Sequence, residues 1–170
     1  LYIAMSLDGY IADARGGVDW LGGQDSGRDT GDSYDQFIRT VDTVVMGWRT
    51  YHQFRTELSP DQWVYDNLHS YIITHRSCVS EGNITFVAAA PGALIRELKE
   101  KKGKDIWICG GGDIVRQLME DRLIDRYHIS VIPTILGKGI PLFSAMEEER
   151  KLQLLDCRTD NGITELVYES

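Results

Sequence analysis

The chain has 170 residues, a formal net charge of −8, 26% charged and 42% hydrophobic residues, which is the composition of a soluble globular domain able to bury one substantial core. This acidity argues against a general nucleic-acid or acidic-membrane surface, and no apolar run approaches the ~20 residues of a membrane span or reads as a signal peptide. Cys78, Cys109 and Cys157 are widely spaced without a C-x-x-C pattern and read as reduced thiols of a cytoplasmic protein, while His52, His69, His75 and His128 lack the paired spacing of a metal site.

Residues 1–5 read as a buried first strand, apolar from Leu1, so an initiator Met is expected ahead of it. The chain continues through Ser6-Leu7-Asp8-Gly9-Tyr10-Ile11-Ala12 into a tract with Gly16, Gly17, Gly22, Gly23, Gly27 and Gly31. A loop of that length marks a lid or binding loop. Val18 and Trp20 within it either anchor the loop or line a pocket. Tyr34, Phe37, Ile38 and Val41 fall at i, i+3, i+4 and i+7, one buried face of a helix. Asp32 and Ser33 stand at its start, where either is a ready N-cap.

Residues 43–46 form a second strand that runs into Gly47-Trp48-Arg49-Thr50-Tyr51, a glycine at a strand end followed by a polar helix start. Residues 70–74 form a third, ending at His75-Arg76-Ser77. Residues 84–87 make a short strand, and Pro91-Gly92 opens a helix through Leu94, Ile95 and Leu98, with Gly103 closing it after Lys101 and Lys102.

Ile106, Trp107, Ile108 and Cys109 are a buried strand, followed by Gly110-Gly111-Gly112 and a helical stripe of Ile114, Val115, Leu118 and Met119 ending near Arg122. Glycines here let a ligand approach the backbone, and the unpaired N–H groups of the first helical turn favour an anion such as a phosphate. The alternative is a tight turn with Asp113 as N-cap. Three strand ends carrying glycine, hydroxyl or cationic groups in an acidic protein point together to one phosphate-bearing ligand. Residues 126–133 form a further strand and 134–143 a loop. Residues 151–157 and 163–169 flank Asn161-Gly162, a strong hairpin signal.

Alternating strands and helices imply a mostly parallel sheet with an antiparallel edge, and ligands on such sheets bind beyond the carboxyl ends of the strands. Val115 stands where the dinucleotide fingerprint needs Gly or Ala, and neither a P-loop nor a G-x-S-x-G elbow is present.

Several ordered motifs span nearly the whole chain: residues 5–12 with Asp19-Trp20 downstream; Val41-Asp42-Thr43-Val44-Val45-Met46-Gly47 with Arg49-Thr50-Tyr51; Ile108-Cys109-Gly110-Gly111-Gly112; and residues 129–133 leading to 136–143. By these the chain resembles the dihydrofolate reductase fold family, and within it the C-terminal reductase domain of the bifunctional riboflavin-biosynthesis deaminase/reductase. The resemblance implies one α/β domain over residues 1–170, with a mostly parallel central sheet, helices on both faces and a C-terminal antiparallel hairpin. It implies an NADPH-dependent reductase of 5-amino-6-(5-phosphoribosylamino)uracil or a related pyrimidine or pterin. Dihydrofolate reduction, a non-catalytic NADP-binding module and a flavin-binding protein are the alternatives.

By the same resemblance Gly47 and Cys109 belong to the cofactor site, and the adenosine 2′-phosphate is expected near Trp48, Arg49, Thr50, Thr74, His75 and Arg76. The pyrophosphate is expected on Gly110, Gly111 and Gly112 and the helix after them, with Asp113 and Ile114, and the nicotinamide against Ala4, Ile11 and Ala12 under the loop carrying Gly17 to Trp20. Trp20, Asp32, Phe37 and Ser130 bound the substrate, with Asp32 the proton-delivering carboxyl and Asp29 and Asp35 its alternatives. Trp48 stands where the family often has the arginine that grips the 2′-phosphate, which leaves Arg49, His75 and Arg76 to supply the charge. Arg15, Arg28 and Lys138 are candidates for a substrate phosphate. A homodimer is expected, with neither nucleic acid nor membrane as partner.

Overall fold

The computed structural model describes residues 1–25, 27, 32–146 and 148–170. In chain order the elements are β1 (Tyr2–Ser6), β2 (Tyr10–Asp13), α1 (Asp32–Ile38), β3 (Val41–Gly47), α2 (Trp48–Gln53, continued by a π-helical turn, Phe54–Leu58), β4 (His69–Ile73) and β5 (Ile84–Val87). They are followed by α3 (Pro91–Lys99), β6 (Asp105–Gly110), α4 (Gly112–Glu120), β7 (Arg126–Ile132), β8 (Gly139–Pro141), β9 (Gln153–Asp160) and β10 (Ile163–Glu169). The chain divides into two compact units, Leu1–Ser33 with Ile124–Ser170, and Tyr34–Leu123.

In the second unit the β-branched run of β3 is buried throughout its centre, with Val44, Val45 and Met46 fully enclosed. Such a strand needs cover on both faces and a parallel neighbour on each side. The sheet order is β5-β4-β3-β6, with every pair parallel. Leu94, Ile95 and Leu98 of α3 and Ile114, Val115, Leu118 and Met119 of α4 are the buried stripes of two amphipathic helices. A chain of edge-to-face rings, Phe54, Tyr65 and Trp107, fills the rest of this core, and the Trp63 indole N–H donates to the buried Ser70 hydroxyl at 3.0 Å.

The first unit holds a mixed sheet, β1-β7-β10-β9, in which β1 pairs with β7 in parallel and β7, β10 and β9 pair antiparallel. The β9–β10 turn has Asn161 at φ 50° and Gly162 at φ 77°, both positive as a two-residue hairpin requires. Asn161 also pins the glycine-rich loop: its side chain accepts the Asp25 N–H at 2.8 Å and donates to the Asp25 carbonyl at 2.8 Å.

Four local expectations are corrected. The helix over residues 34–41 ends at Ile38, because the Thr40 N–H and hydroxyl both bond the Phe37 carbonyl, and Val41 is the buried first residue of β3. Gly103 does not close α3, whose C-cap is Glu100; it lies where a Cβ would press on Asp42 at 2.8 Å, beside the Lys104 N–H that donates to the same carboxylate at 2.7 Å. The glycine-triplet helix ends at Glu120, with Arg122 left-handed at φ 56° and the Leu123 N–H reaching back to the Leu118 carbonyl. Two short strands, β2 and β8, pair antiparallel; β8 falls in the stretch 134–143 that reads as loop, and β2 is separate from the first strand that runs into it. Gly139 is required in that pair, since a Cβ would collide with the Ala12 carbonyl.

The stretch carrying the resemblance has a structural cause at Asp8. Its carboxylate accepts from the Ser6 hydroxyl (2.6 Å), the Leu136 N–H (3.1 Å) and the Gly137 N–H (2.7 Å), tying the β1–β2 turn to residues 134–138. The Ser6 hydroxyl first, then the two backbone N–H groups, hold its pKa below the usual carboxylate range. As pH falls, the unfolded chain therefore takes up this proton before the folded chain does. The stabilisation is whole above about pH 4 and is lost as pH falls through the lowered folded-state value. Asp8→Asn is expected to melt earlier at neutral pH and to lose less of its remaining stability on acidification. Thermal melts from neutral to acidic pH check this, and parallel profiles for the two proteins would refute it.

Candidate functional site

Because β4, β3 and β6 are parallel and adjacent, their carboxyl ends finish at one edge of the second unit's sheet, with Gly47 opposite Ile73 and Met46 opposite Gly110. β6 bulges there: its partner steps from Val45 to Met46 while β6 passes from Ile108 to Gly110, leaving Cys109 unpaired. Burial pushes the Cys109 thiol up to about 12, against the opposing hydrogen bond from Tyr65. That side chain is a half-buried, neutral thiol.

Gly110 has φ +128°, a left-handed conformation suited to glycine, and the Gly110–Gly111 peptide bond is cis. Gly111 is the N-cap of α4 and has no side chain to cap the first turn. Asp113 is not the cap: its carboxylate lies along its own helix, accepting from Arg116 at 3.0 Å and Gln117 at 2.8 Å. The first turn of this nine-residue helix thus presents N–H groups and the positive end of the dipole without a competing side-chain acceptor.

The three strand ends meet. A Cβ on Gly111 would touch only the Thr50 hydroxyl, at 3.8 Å, and one on Gly47 would stand 3.2 Å from Ile114 Cδ1. The first and third turns therefore abut with glycine on both sides. The second turn joins through Arg76, whose guanidinium lies 5.0 Å from the Trp48 ring centroid. Thr74 is buried, and its hydroxyl accepts the Arg76 N–H at 3.1 Å, so it shapes this turn. Arg49, His75 and Arg76 are exposed. Backbone N–H groups, a hydroxyl, an aromatic wall and cations, gathered around Gly47 and Gly111, fit a phosphate-bearing dinucleotide.

The remaining sequence candidates distribute as follows. In the first unit, Ala4 on β1 pairs with Ser130 on β7, which pairs with Glu165 on β10, so all three share one face. Glu165 accepts a hydrogen bond from Ser33, and the Tyr2 hydroxyl lies 3.5 Å from Ser33 Oγ. Burial, above all, raises the Tyr2 pKa. Sequence reading missed Tyr2 and Glu165 because their nearness to Ser130 depends on strand register, for which no local signal exists.

Ile11 and the buried Ala12 lie on β2. Gly17 donates its N–H to Asp13 at 2.9 Å and leaves no room for a Cβ against that carboxylate. The Trp20 indole N–H donates to the Gly17 carbonyl at 3.2 Å, which supports the anchor reading of Trp20. Phe37, in the second unit, packs edge-on against Trp107 at 5.4 Å. Asp32 opens α1, but its side chain, like Arg28 and Asp29, lies outside the described residues; Asp35, Arg15 and Lys138 are exposed. Among the described residues the three cysteines are free, no cluster of His, Cys, Asp or Glu could hold a metal, and no helix is long and apolar enough to cross a membrane.

The family model of the RibD C-terminal domain matches residues 1–164. The chain belongs to this family. A Bacillus subtilis relative, the uncharacterized protein YwjB, is 38% identical over 99% of this chain and 95% of its own length; YyaP of the same organism is 26% identical over 99% and 92%. Among solved structures, a Shewanella sp. PV-4 protein assigned provisionally to riboflavin biosynthesis superposes with a TM-score of 0.83 at 30% identity, covering 99% of this chain and 96% of that one. The Thermotoga maritima diaminohydroxyphosphoribosylaminopyrimidine deaminase/5-amino-6-(5-phosphoribosylamino)uracil reductase gives 0.71 at 16% identity over 99% of this chain and 55% of that one. Schistosoma mansoni dihydrofolate reductase gives 0.60 at 16% identity, covering 99% and 95%. This RibD C-terminal domain thus has the dihydrofolate reductase-like α/β fold.

Proposed function

We propose that this RibD C-terminal domain is an NADPH-dependent reductase whose substrate is 5-amino-6-(5-phosphoribosylamino)uracil or a closely related pyrimidine or pterin. Membership in a reductase-domain family supports an oxidoreductase, and the name of the Thermotoga maritima neighbour supports the substrate class. The observation that carries the reading is the meeting of three strand ends around Gly47, Gly111 and Arg76. In this reading the backbone of residues 110–112 and the first turn of α4 hold the pyrophosphate. Arg49, His75 and Arg76 face the adenosine 2′-phosphate.

NADPH, when bound, supplies a hydride. The chain's own work is positioning and protonation. In the first unit Ala4, Ile11 and Ala12 are the candidates for the nicotinamide wall and Trp20 and Ser130 the candidates for substrate contact; Phe37 is the second unit's candidate. Asp32 delivers a proton to the acceptor atom beside the reduced carbon, directly or through a water it orients. The protein is proposed to act in the cytoplasm as a homodimer. Loss of absorbance at 340 nm with the aminopyrimidine, and none with dihydrofolate, is the expected result. Thermal stabilisation by NADPH without oxidation of either substrate would replace the enzyme by a binding module, and yellow protein as isolated would indicate a flavin site.

A further inference from the structure

We infer that Trp48 is a positioning residue that carries the Arg76 guanidinium on its ring. Arg76 thereby becomes the group that distinguishes a 2′-phosphorylated adenosine nucleotide from one lacking that phosphate. The inference rests on the NADPH reading and deepens it.

Trp48 follows Gly47 directly at the head of α2. Its indole has one neutral N–H and no charge, so it cannot itself replace a cation at a phosphate. Its ring is, however, held by others: Tyr51 at 5.6 Å, His52 at 5.7 Å and Phe86 at 6.3 Å between centroids. Arg76 comes from the adjacent strand end with its backbone N–H fixed on Thr74, and its guanidinium rests on this ring. A guanidinium held over a ring by a cation–π contact, here 5.0 Å from the centroid, still has five N–H donors to offer a phosphate. A side chain already lying on a surface has less rotamer freedom left to lose on binding.

The other nearby cations are less suited. Arg116 is taken up by Asp113 at 3.0 Å and Glu120 at 2.7 Å, whereas among the described residues Arg76 forms no ion pair. Arg49 and His75 are exposed without a comparable platform. Trp48 also lines a cleft of about 440 Å³ with Tyr51, Ile84 and Phe86, whose rim carries both the cation Arg55 and the acid Glu81. A direct contact between Trp48 and the adenine base is therefore the rival role that the experiment has to separate.

Calorimetry with adenosine 2′,5′-bisphosphate and adenosine 5′-monophosphate reads the preference for the 2′-phosphate as a ratio of dissociation constants. Wild type is expected to prefer the bisphosphate strongly, and Arg76→Leu to reduce the ratio by roughly 10-fold or more. Trp48→Leu is expected to reduce it by roughly 3- to 10-fold and Trp48→Phe to restore most of it. The double variant is expected to fall no lower than Arg76→Leu alone. Arg76→Lys, at an exposed position that does not endanger folding, keeps the charge without the stack and is expected to lose several-fold. A wild-type ratio in Arg76→Lys, equal weakening of both nucleotides by Trp48→Leu, or additive losses in the double variant would overturn the inference. Wild type that binds both nucleotides without preference would overturn it as well, while sparing the dinucleotide site. Wild type that binds neither would overturn the cofactor reading together with it.

Discussion

Gly111→Val is expected to weaken NADPH binding by roughly 100-fold or more while the protein stays folded, a loss of at least ~3 kcal/mol of binding free energy. Gly111 has φ −84° and ψ −174°, extended backbone that any residue adopts. Its Cβ would meet only the Thr50 hydroxyl, at an ordinary 3.8 Å. A Cβ therefore meets no clash within the fold, and at the N-cap of α4 the added side chain is expected to compete with the pyrophosphate proposed to lie there. Gly110 provides the contrast. At φ +128° a side chain strains the backbone itself, at about 1–2 kcal/mol, so substitution there confounds binding with folding. Calorimetric titration with NADPH beside thermal melting separates the two. Unchanged affinity in folded Gly111→Val would remove the glycine turn from the site.

Asp32→Asn is expected to lower kcat by roughly 100-fold or more with NADPH affinity unchanged, the size of effect associated with a lost general acid. Asp32 is the first residue of α1, and the next residue, Ser33, is fixed by its hydrogen bond to Glu165. The backbone carrying the proposed acid is thus anchored one residue away, as a group that must meet a reacting atom requires. Asp35→Asn, at an exposed position of the same helix, is expected to leave turnover at the wild-type level. A fully active Asp32→Asn together with a crippled Asp35→Asn would move the role along the helix. Two fully active variants would remove α1 from the proton-transfer step.

Much of this was legible because buried strands and amphipathic helices write their periods directly into sequence. Residues 84–87 and the glycine-bounded run of β6 are of this kind, as is the Asn161-Gly162 turn, where two positive φ values admit few residue types. What stayed hidden depends on pairing at a distance. β2 and β8 have four and three residues, too few for an alternation to register, and they exist because each supplies the other's ladder. Val41 keeps helical spacing with Tyr34 yet belongs to β3, because Thr40 closes the helix before it.

The candidate site divides the same way. That three strand ends share one sheet edge followed from the strand–glycine–helix pattern. That Trp48 and Arg76 touch did not, since they sit at the ends of two neighbouring strands and nothing local to either marks the other. Asp113 shows the opposite error: it reads as an N-cap by type, but it lies inside the helix, and Gly111 occupies the cap position.

The most direct measurement is a crystal structure of the protein grown with NADP⁺. The account predicts the pyrophosphate against the backbone of residues 110–112 at the head of α4, and the 2′-phosphate within hydrogen-bond reach of the Arg76 guanidinium while that group still lies on Trp48. A dinucleotide bound away from the glycine turn, or with its 2′-phosphate turned from Arg76 into solvent, would contradict it.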